Sequence, residues 1–156
     1  MEPSDFLELC VVYEDLPDLI ELGVRVRSGE WSAASTAYTS PSFLAESGKA
    51  ILHWIKGPQR RLRIEAGADT GIGWMVLDFY TIDSACHARC AVTLATGHGS
   101  RDSRPEETSR FAIELPTEIG LIERFAKECI TLGSRSRPAA RLIALPKLQP
   151  RHLARK

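Results

Sequence analysis

The chain has no apolar run long enough to cross a bilayer, because Glu, Arg or Asp interrupts its hydrophobic stretches every few positions and a spanning helix needs roughly 18 consecutive apolar residues. No membrane span is expected. The first residues, Met1-Glu2-Pro3-Ser4-Asp5, are acidic and lack the basic-then-apolar order of a secretory signal, so the expected address is the cytoplasm. Cysteine is also scarce. Cys10, Cys86, Cys90 and Cys129 all sit within apolar runs, where a free thiol behaves as a small hydrophobe, and they are read as reduced core residues rather than a disulfide framework. Internal repeats and low-complexity tracts are missing as well, which leaves out solenoids and compositionally biased disorder.

What is present describes an ordinary globular protein. At 156 residues, 44% hydrophobic and 26% charged, the chain can bury a real core and matches the common size of one domain. Its net charge of zero conceals an asymmetry. Residues 134–156 hold seven basic side chains and no acidic one, so residues 1–133 carry 13 basic against 20 acidic groups. The expected organisation is one domain over 1–133 followed by a basic C-terminal tail over 134–156. Ser134 to Pro138 reads as a linker.

Period-two alternation marks the strands. Ile20, Leu22, Val24 and Val26 alternate with Glu21, Gly23, Arg25 and Arg27, and after the turn Ser28-Gly29-Glu30 the Thr-, Tyr- and Trp-bearing run Trp31 to Thr39 reads as the return strand of a hairpin, with its inward face left open. Phe6 to Glu14 is a further candidate. Segments 61–66, 74–82, 86–95 and 109–115 suggest a meander. Their inward sets are Leu62/Ile64, Met75/Leu77/Phe79, Cys86/Ala88/Cys90/Val92/Leu94 and Phe111/Ile113/Leu115. Two helices are predicted from three- and four-residue apolar spacing. The first is capped by Ser40-Pro41 and stopped by Gly57-Pro58, with Leu44, Ser47/Gly48, Ile51, Trp54 and Ile55 inward; the second runs from Thr117, its cap, to Leu132. The expected fold is therefore α+β: an antiparallel sheet of six to seven strands in β-β-β-α-β-β-β-β-α order, with both helices on one face.

Three places hold residue types that do chemistry. Cys86-His87-Ala88-Arg89-Cys90 contains metal-ligating side chains, but on an extended strand Cys86 and Cys90 stand about 13 Å apart while His87 points to the other face. No metal and no cofactor are expected. Gly67-Ala68-Asp69-Thr70-Gly71-Ile72-Gly73 is glycine-rich, yet it joins two strands and has no Walker lysine, so neither nucleotide fingerprint is met. In a meander this loop and the one after strand 86–95 leave the same end of the sheet. Strand spacing of ~4.8 Å then places their centres about 10 Å apart, bringing Asp69 and Thr70 near His98, Arg101, Asp102 and Arg104, a set suited to acid–base work or anion binding. No catalytic residue is assigned. The outward face of the sheet, by parity, carries Arg61, Arg63, Trp74, Asp78, Tyr80, His87, Arg89, Thr93 and Glu114, a mixture of aromatic and ionic groups that suits protein recognition. The binding candidates are thus Trp74, Tyr80, His87 and Arg89 on the face, with Asp69, His98, Arg101 and Asp102 at the loops.

The stretches Leu19-Ile-Glu-Leu-Gly-Val-Arg-Val-Arg-Ser-Gly-Glu-Trp31, Ala37-Tyr-Thr-Ser-Pro41 and Phe111-Ala-Ile-Glu-Leu-Pro-Thr117 resemble a group of small bacterial proteins of unknown function. They are also loosely similar to WapI-type immunity proteins, which neutralise a toxin by binding it. The resemblance implies a bacterial, non-enzymatic binding domain and transfers no functional residue. The partner expected is a protein, or a second copy of this chain. The tail has no aromatic residue to stack on bases, so nucleic acid is not the expected partner; docking of Leu142-Ile143-Ala144-Leu145 on the acidic body, or disorder of the tail, is preferred. Two other readings stay open: a small hydrolase or ligand-binding enzyme with its site at loops 67–73 and 97–108, and a homodimeric assembly protein.

Overall fold

A computed structural model describes residues 4–69, 72–97, 104–135 and 137–147. The element order is β1 (Phe6–Asp15), β2 (Leu19–Ser28), β3 (Trp31–Thr39), α1 (Phe43–Lys56), β4 (Arg61–Gly67), β5 (Gly73–Thr81), β6 (His87–Thr96), β7 (Ser109–Glu118), α2 (Ile119–Gly133) and β8 (Ala140–Ile143). The class is α+β with antiparallel pairing throughout, and the order through α2 is the one the alternation predicts. The strands divide into two four-stranded sheets, β3-β2-β1-β8 and β4-β5-β6-β7, rather than one layer of six or seven.

Each sheet turns one parity inward. In the first, Leu7, Leu9, Ile20, Leu22, Val24 and Val26 are buried, and β3, whose inward parity was open, presents Ala33, Ser35 and Ala37 opposite Val26, Val24 and Leu22. In the second, Met75, Leu77, Phe79, Ala88, Cys90, Val92, Leu94 and Leu115 are buried, while Leu62, Phe111 and Ile113 pack at the margin. Both inner faces and the helices form one continuous core. Phe79 stands at its centre, 6.2 Å from the Trp54 ring of α1 and 6.4 Å from the Phe125 ring of α2.

The two sheets meet at a close backbone contact. Instead of pairing with β4, β3 runs against the start of β5, where a Cβ on Gly73 would lie 1.7 Å from the Thr36 carbonyl oxygen. Only a residue without a side chain lets the two backbones meet there. Gly48 does the same for the helices: an added Cβ would lie 2.5 Å from the Ala126 carbonyl oxygen and 2.6 Å from Ile130 Cγ1. The glycine that weakens α1 as an isolated helix is what lets α1 and α2 approach. Gly48→Ala is accordingly expected to destabilise the protein by about 1–3 kcal/mol through overpacking, although alanine is the better helix former; chemical denaturation measures it.

Three boundaries differ from expectation. Ser40 does not cap α1 with its side chain. Its carbonyl accepts Phe43 N–H at 3.1 Å, and the helix begins two residues after Pro41. Thr117 is not a helix cap either: it is the buried penultimate residue of β7, and α2 starts at Ile119, whose N–H is taken by the Cys86 carbonyl at 3.0 Å. That bond replaces a side-chain cap. Cys86 in turn is not an inward strand residue. It is exposed, in a turn with φ of 67°, and β6 begins one residue later.

The basic segment after α2 is built into the fold. β8 pairs antiparallel with β1, Leu142 opposite Leu7 and Ala140 opposite Leu9, and Ala140, Leu142 and Ala144 are buried. Beyond it, Ala144 N–H donates to the Asp5 carbonyl at 2.9 Å and Leu145 N–H to the Pro116 carbonyl at 2.8 Å, so the segment links both sheets. Opposite charges accompany it. Arg135 pairs with Glu14, Arg141 with Glu8 at 2.6 Å, and Arg137 with Glu128 at 3.1 Å. Glu128 is 8% exposed on α2 and also accepts the Arg141 N–H at 3.0 Å. One carboxylate thus receives both the side chain and the backbone of the incoming strand.

Candidate functional site: the outer face of the second sheet

Because the helices cover the inner faces, the outward residues of β4–β7 stand in register on a surface that no helix covers. The rows are Arg61-Tyr80-Arg89-Pro116, Arg63-Asp78-Ala91-Glu114, Glu65-Val76-Thr93-Ala112 and Gly67-Trp74-Ala95-Arg110. Every residue assigned outward from the sequence alternation therefore shares this face. Aromatic, cationic and anionic groups occupy neighbouring rungs.

Their contacts form two chains. In one, the Arg110 guanidinium lies 5.6 Å from the Trp74 ring centroid, Trp74 Nε1–H donates to Glu65 at 2.6 Å, and Arg63 bridges Glu65 at 3.7 Å and Asp78 at 3.9 Å. In the other, Arg61 lies 4.7 Å over the Tyr80 ring, the Tyr80 hydroxyl donates to Glu114, and Glu114 also pairs with Arg89 at 3.5 Å. The Glu114 carboxylate raises the Tyr80 phenol pKa above its usual value, since it accepts the very proton that would be lost. Beneath the first chain Val76 is only 2% exposed although it points outward. Long side chains with polar heads cover apolar surface in this way.

At one end of the face, His87 Nδ1 meets the Asp83 carboxylate at 2.7 Å, and the other Asp83 oxygen accepts the backbone N–H of Ala85 at 2.8 Å and of His87 at 3.3 Å. The His87 hydrogen bond, then these amides, hold the Asp83 carboxyl below the ordinary carboxylate range. A depressed carboxylate contributes stability that is present above its unfolded pKa and is lost as pH falls through the folded one. His87→Gln is therefore expected to move the Asp83 titration upward toward the ordinary value, observed by carbon-detected NMR of the side chain. Cys90, three residues after His87 on the opposite side of β6, is buried, and burial pushes its thiol far above the usual range; the Cys129 thiol is pushed up to about 12 by the same cause.

At the other end, Gly97 N–H donates to the Ile72 carbonyl at 3.0 Å, so the loops after β4 and after β6 are neighbours. Asp69 is exposed there, and Arg104 pairs with Glu107 at 3.6 Å. His98, Arg101 and Asp102, with Thr70, lie outside the described residues. A cavity of about 110 Å³ beside the second loop is lined by Ser35, Leu94, Ala95, Thr96, Ser109 and Arg110 among others, and Arg110 is the one ionisable side chain in its lining among the described residues.

Of the eight binding candidates, the structure brings Trp74, Tyr80, His87 and Arg89 onto one face. Sequence reasoning missed three of their partners. Glu65 and Arg110 share the outward parity of Arg63 and Glu114 and were legible by that rule; Asp83 stands in the β5–β6 turn, where alternation gives no signal. No protein-family model, curated protein or solved structure matches the chain.

Proposed function

We propose that this chain is a non-enzymatic protein-binding domain, of the immunity-inhibitor kind, that takes its partner on the outer face of β4–β7. The observation carrying the proposal is the cross-strand network of Trp74, Tyr80, Arg61, Arg63, Arg89 and Arg110 with Glu65, Asp78 and Glu114. Exposed ion pairs of this sort contribute only about 0–1 kcal/mol each to folding, so stability alone is a weak account of so many on one face. Tryptophan, tyrosine and arginine are the residues that most often dominate binding energy at interfaces. Holding them in place before contact lowers the ordering cost of association.

Affinity capture from the native lysate, with the full chain as bait, tests this. The expected result is one protein retained stoichiometrically by the wild type and reduced at least about tenfold by Trp74→Ala/Tyr80→Ala, given about 2 kcal/mol for each strong aromatic anchor. Equal unfolding transitions of the two baits establish that the fold is intact. Equal retention by both, or a small molecule in place of a protein in the eluate, would overturn the proposal.

A further inference from the structure

A separate surface lies on the outer face of the first sheet. In register, Tyr13 of β1 and Tyr38 of β3 flank Glu21 of β2 from either side, so the three side chains form one row. The β1–β2 pairing slips between Val11 and Tyr13, and the bulged Val12 lies over Gly23, whose added Cβ would come within 2.7 Å of Val12 Cγ2. A bulge re-aims side chains in this manner. Val12 is 57% exposed, Tyr13 56%, Tyr38 39% and Leu16, in the adjoining turn, 60%. On an antiparallel sheet with one face toward the core, the outward residues are ordinarily polar; here they are aromatic and aliphatic. A contiguous exposed apolar group of this kind marks an interaction site.

Most of the charge near it is acidic, with Arg135 at Glu14 and Arg25 further along the same face of β2. From Met1 to Val24 the sequence holds no lysine, arginine or histidine. Glu14 is engaged by Arg135, whereas Asp15, Asp18 and Glu21 have no ion-pair partner among the described residues. We infer that this end of the first sheet is a docking surface for a cationic segment of a partner protein, whose apolar side chains rest on Val12 and Leu16 while its lysines or arginines meet Tyr13, Tyr38 and the free carboxylates. Cations over tyrosine faces and opposed to carboxylates gain from both contacts. A second copy of the chain fits poorly, since a two-fold contact sets the same patch against itself and carboxylate against carboxylate.

The experiment is an amide NMR titration of the full chain with a short synthetic peptide alternating lysine and leucine, and with its glutamate–leucine counterpart. The expected result is shift changes confined to Val12, Tyr13, Glu21, Tyr38 and their neighbours with the lysine peptide alone, weakened by salt. Affinity should fall about tenfold or more in Tyr13→Ser/Tyr38→Ser, the scale of one lost aromatic anchor. Asp15→Lys/Glu21→Lys, which leaves both tyrosines, should abolish binding by charge reversal. Trp74→Ala/Tyr80→Ala should bind the peptide as the wild type does, which separates this surface from the β4–β7 face. No binding of the lysine peptide, equal binding of the acidic one, shifts on β4–β7 instead, or a dimer in sizing that Tyr13→Ser/Tyr38→Ser dissolves would each overturn the inference.

Discussion

Phe79→Ala is expected to destabilise the protein by about 3–5 kcal/mol, the range for removing a buried aromatic ring and leaving a cavity behind. Phe79 is fully buried and is the ring that both helices share, Trp54 from α1 and Phe125 from α2. Neither helix can move into the space without abandoning the other, because their separation is already set by the contact at Gly48. For a chain of this size, each kcal/mol corresponds to about 2–4 °C in Tm. The fall should therefore be about 6–20 °C by calorimetry. Tyr80→Ala, one residue away on the outer face, removes a half-buried ring from the outer ladder and should cost much less, about 1 kcal/mol. The contrast between adjacent positions tests which face of β5 is core.

Glu128→Ala is expected to cost less, about 2–3 kcal/mol, the upper part of the scale for leaving a part-buried backbone amide without its charged acceptor. The partners Arg124 and Arg137, with 73% and 37% of their side chains accessible, add little each, so most of the effect comes from the Arg141 amide. Glu128→Gln keeps an acceptor for that amide and loses the charge. It should fall between the wild type and alanine, at about 1–2 kcal/mol. Hydrogen exchange locates the damage: β8 amides should lose protection in Glu128→Ala before those of β5 and β6 do. If β8 protection is unchanged, the carboxylate is not what secures the strand.

The strands of the second sheet were legible because four segments each keep one apolar parity, and in the structure they pair in consecutive antiparallel order. The outward set, and with it Trp74, Tyr80, His87 and Arg89, came from the same rule. The division into two sheets was not legible. The sheets meet where Gly73 admits the Thr36 carbonyl, a contact between residues far apart in sequence that leaves no periodic trace. The closure of the first sheet by β8 was only half visible: an apolar tetrad among arginines announces that it can dock, but not that Glu128 on α2 awaits it. The start of α2 was misplaced because Cys86, in the turn before β6, supplies the hydrogen bond that a capping side chain would otherwise make. The Tyr13–Tyr38 row stayed hidden for a different reason. A bulge at Val12 resets the parity of β1, and alternation read past it assigns the wrong faces. Where chemistry was sought at the loops, Asp69 is exposed at the expected end, beside the hydrogen bond joining Ile72 to Gly97.

The central functional claim is that a partner sits on the outer face of β4–β7. A photoreactive amino acid at Thr93, in the middle of that face between Val76 and Ala112, with a control at the exposed Lys49 of α1, tests it most directly in the native lysate. The account predicts a single cross-linked protein from position 93 and none from position 49. Cross-linking from position 49 alone, or from neither position, would contradict it.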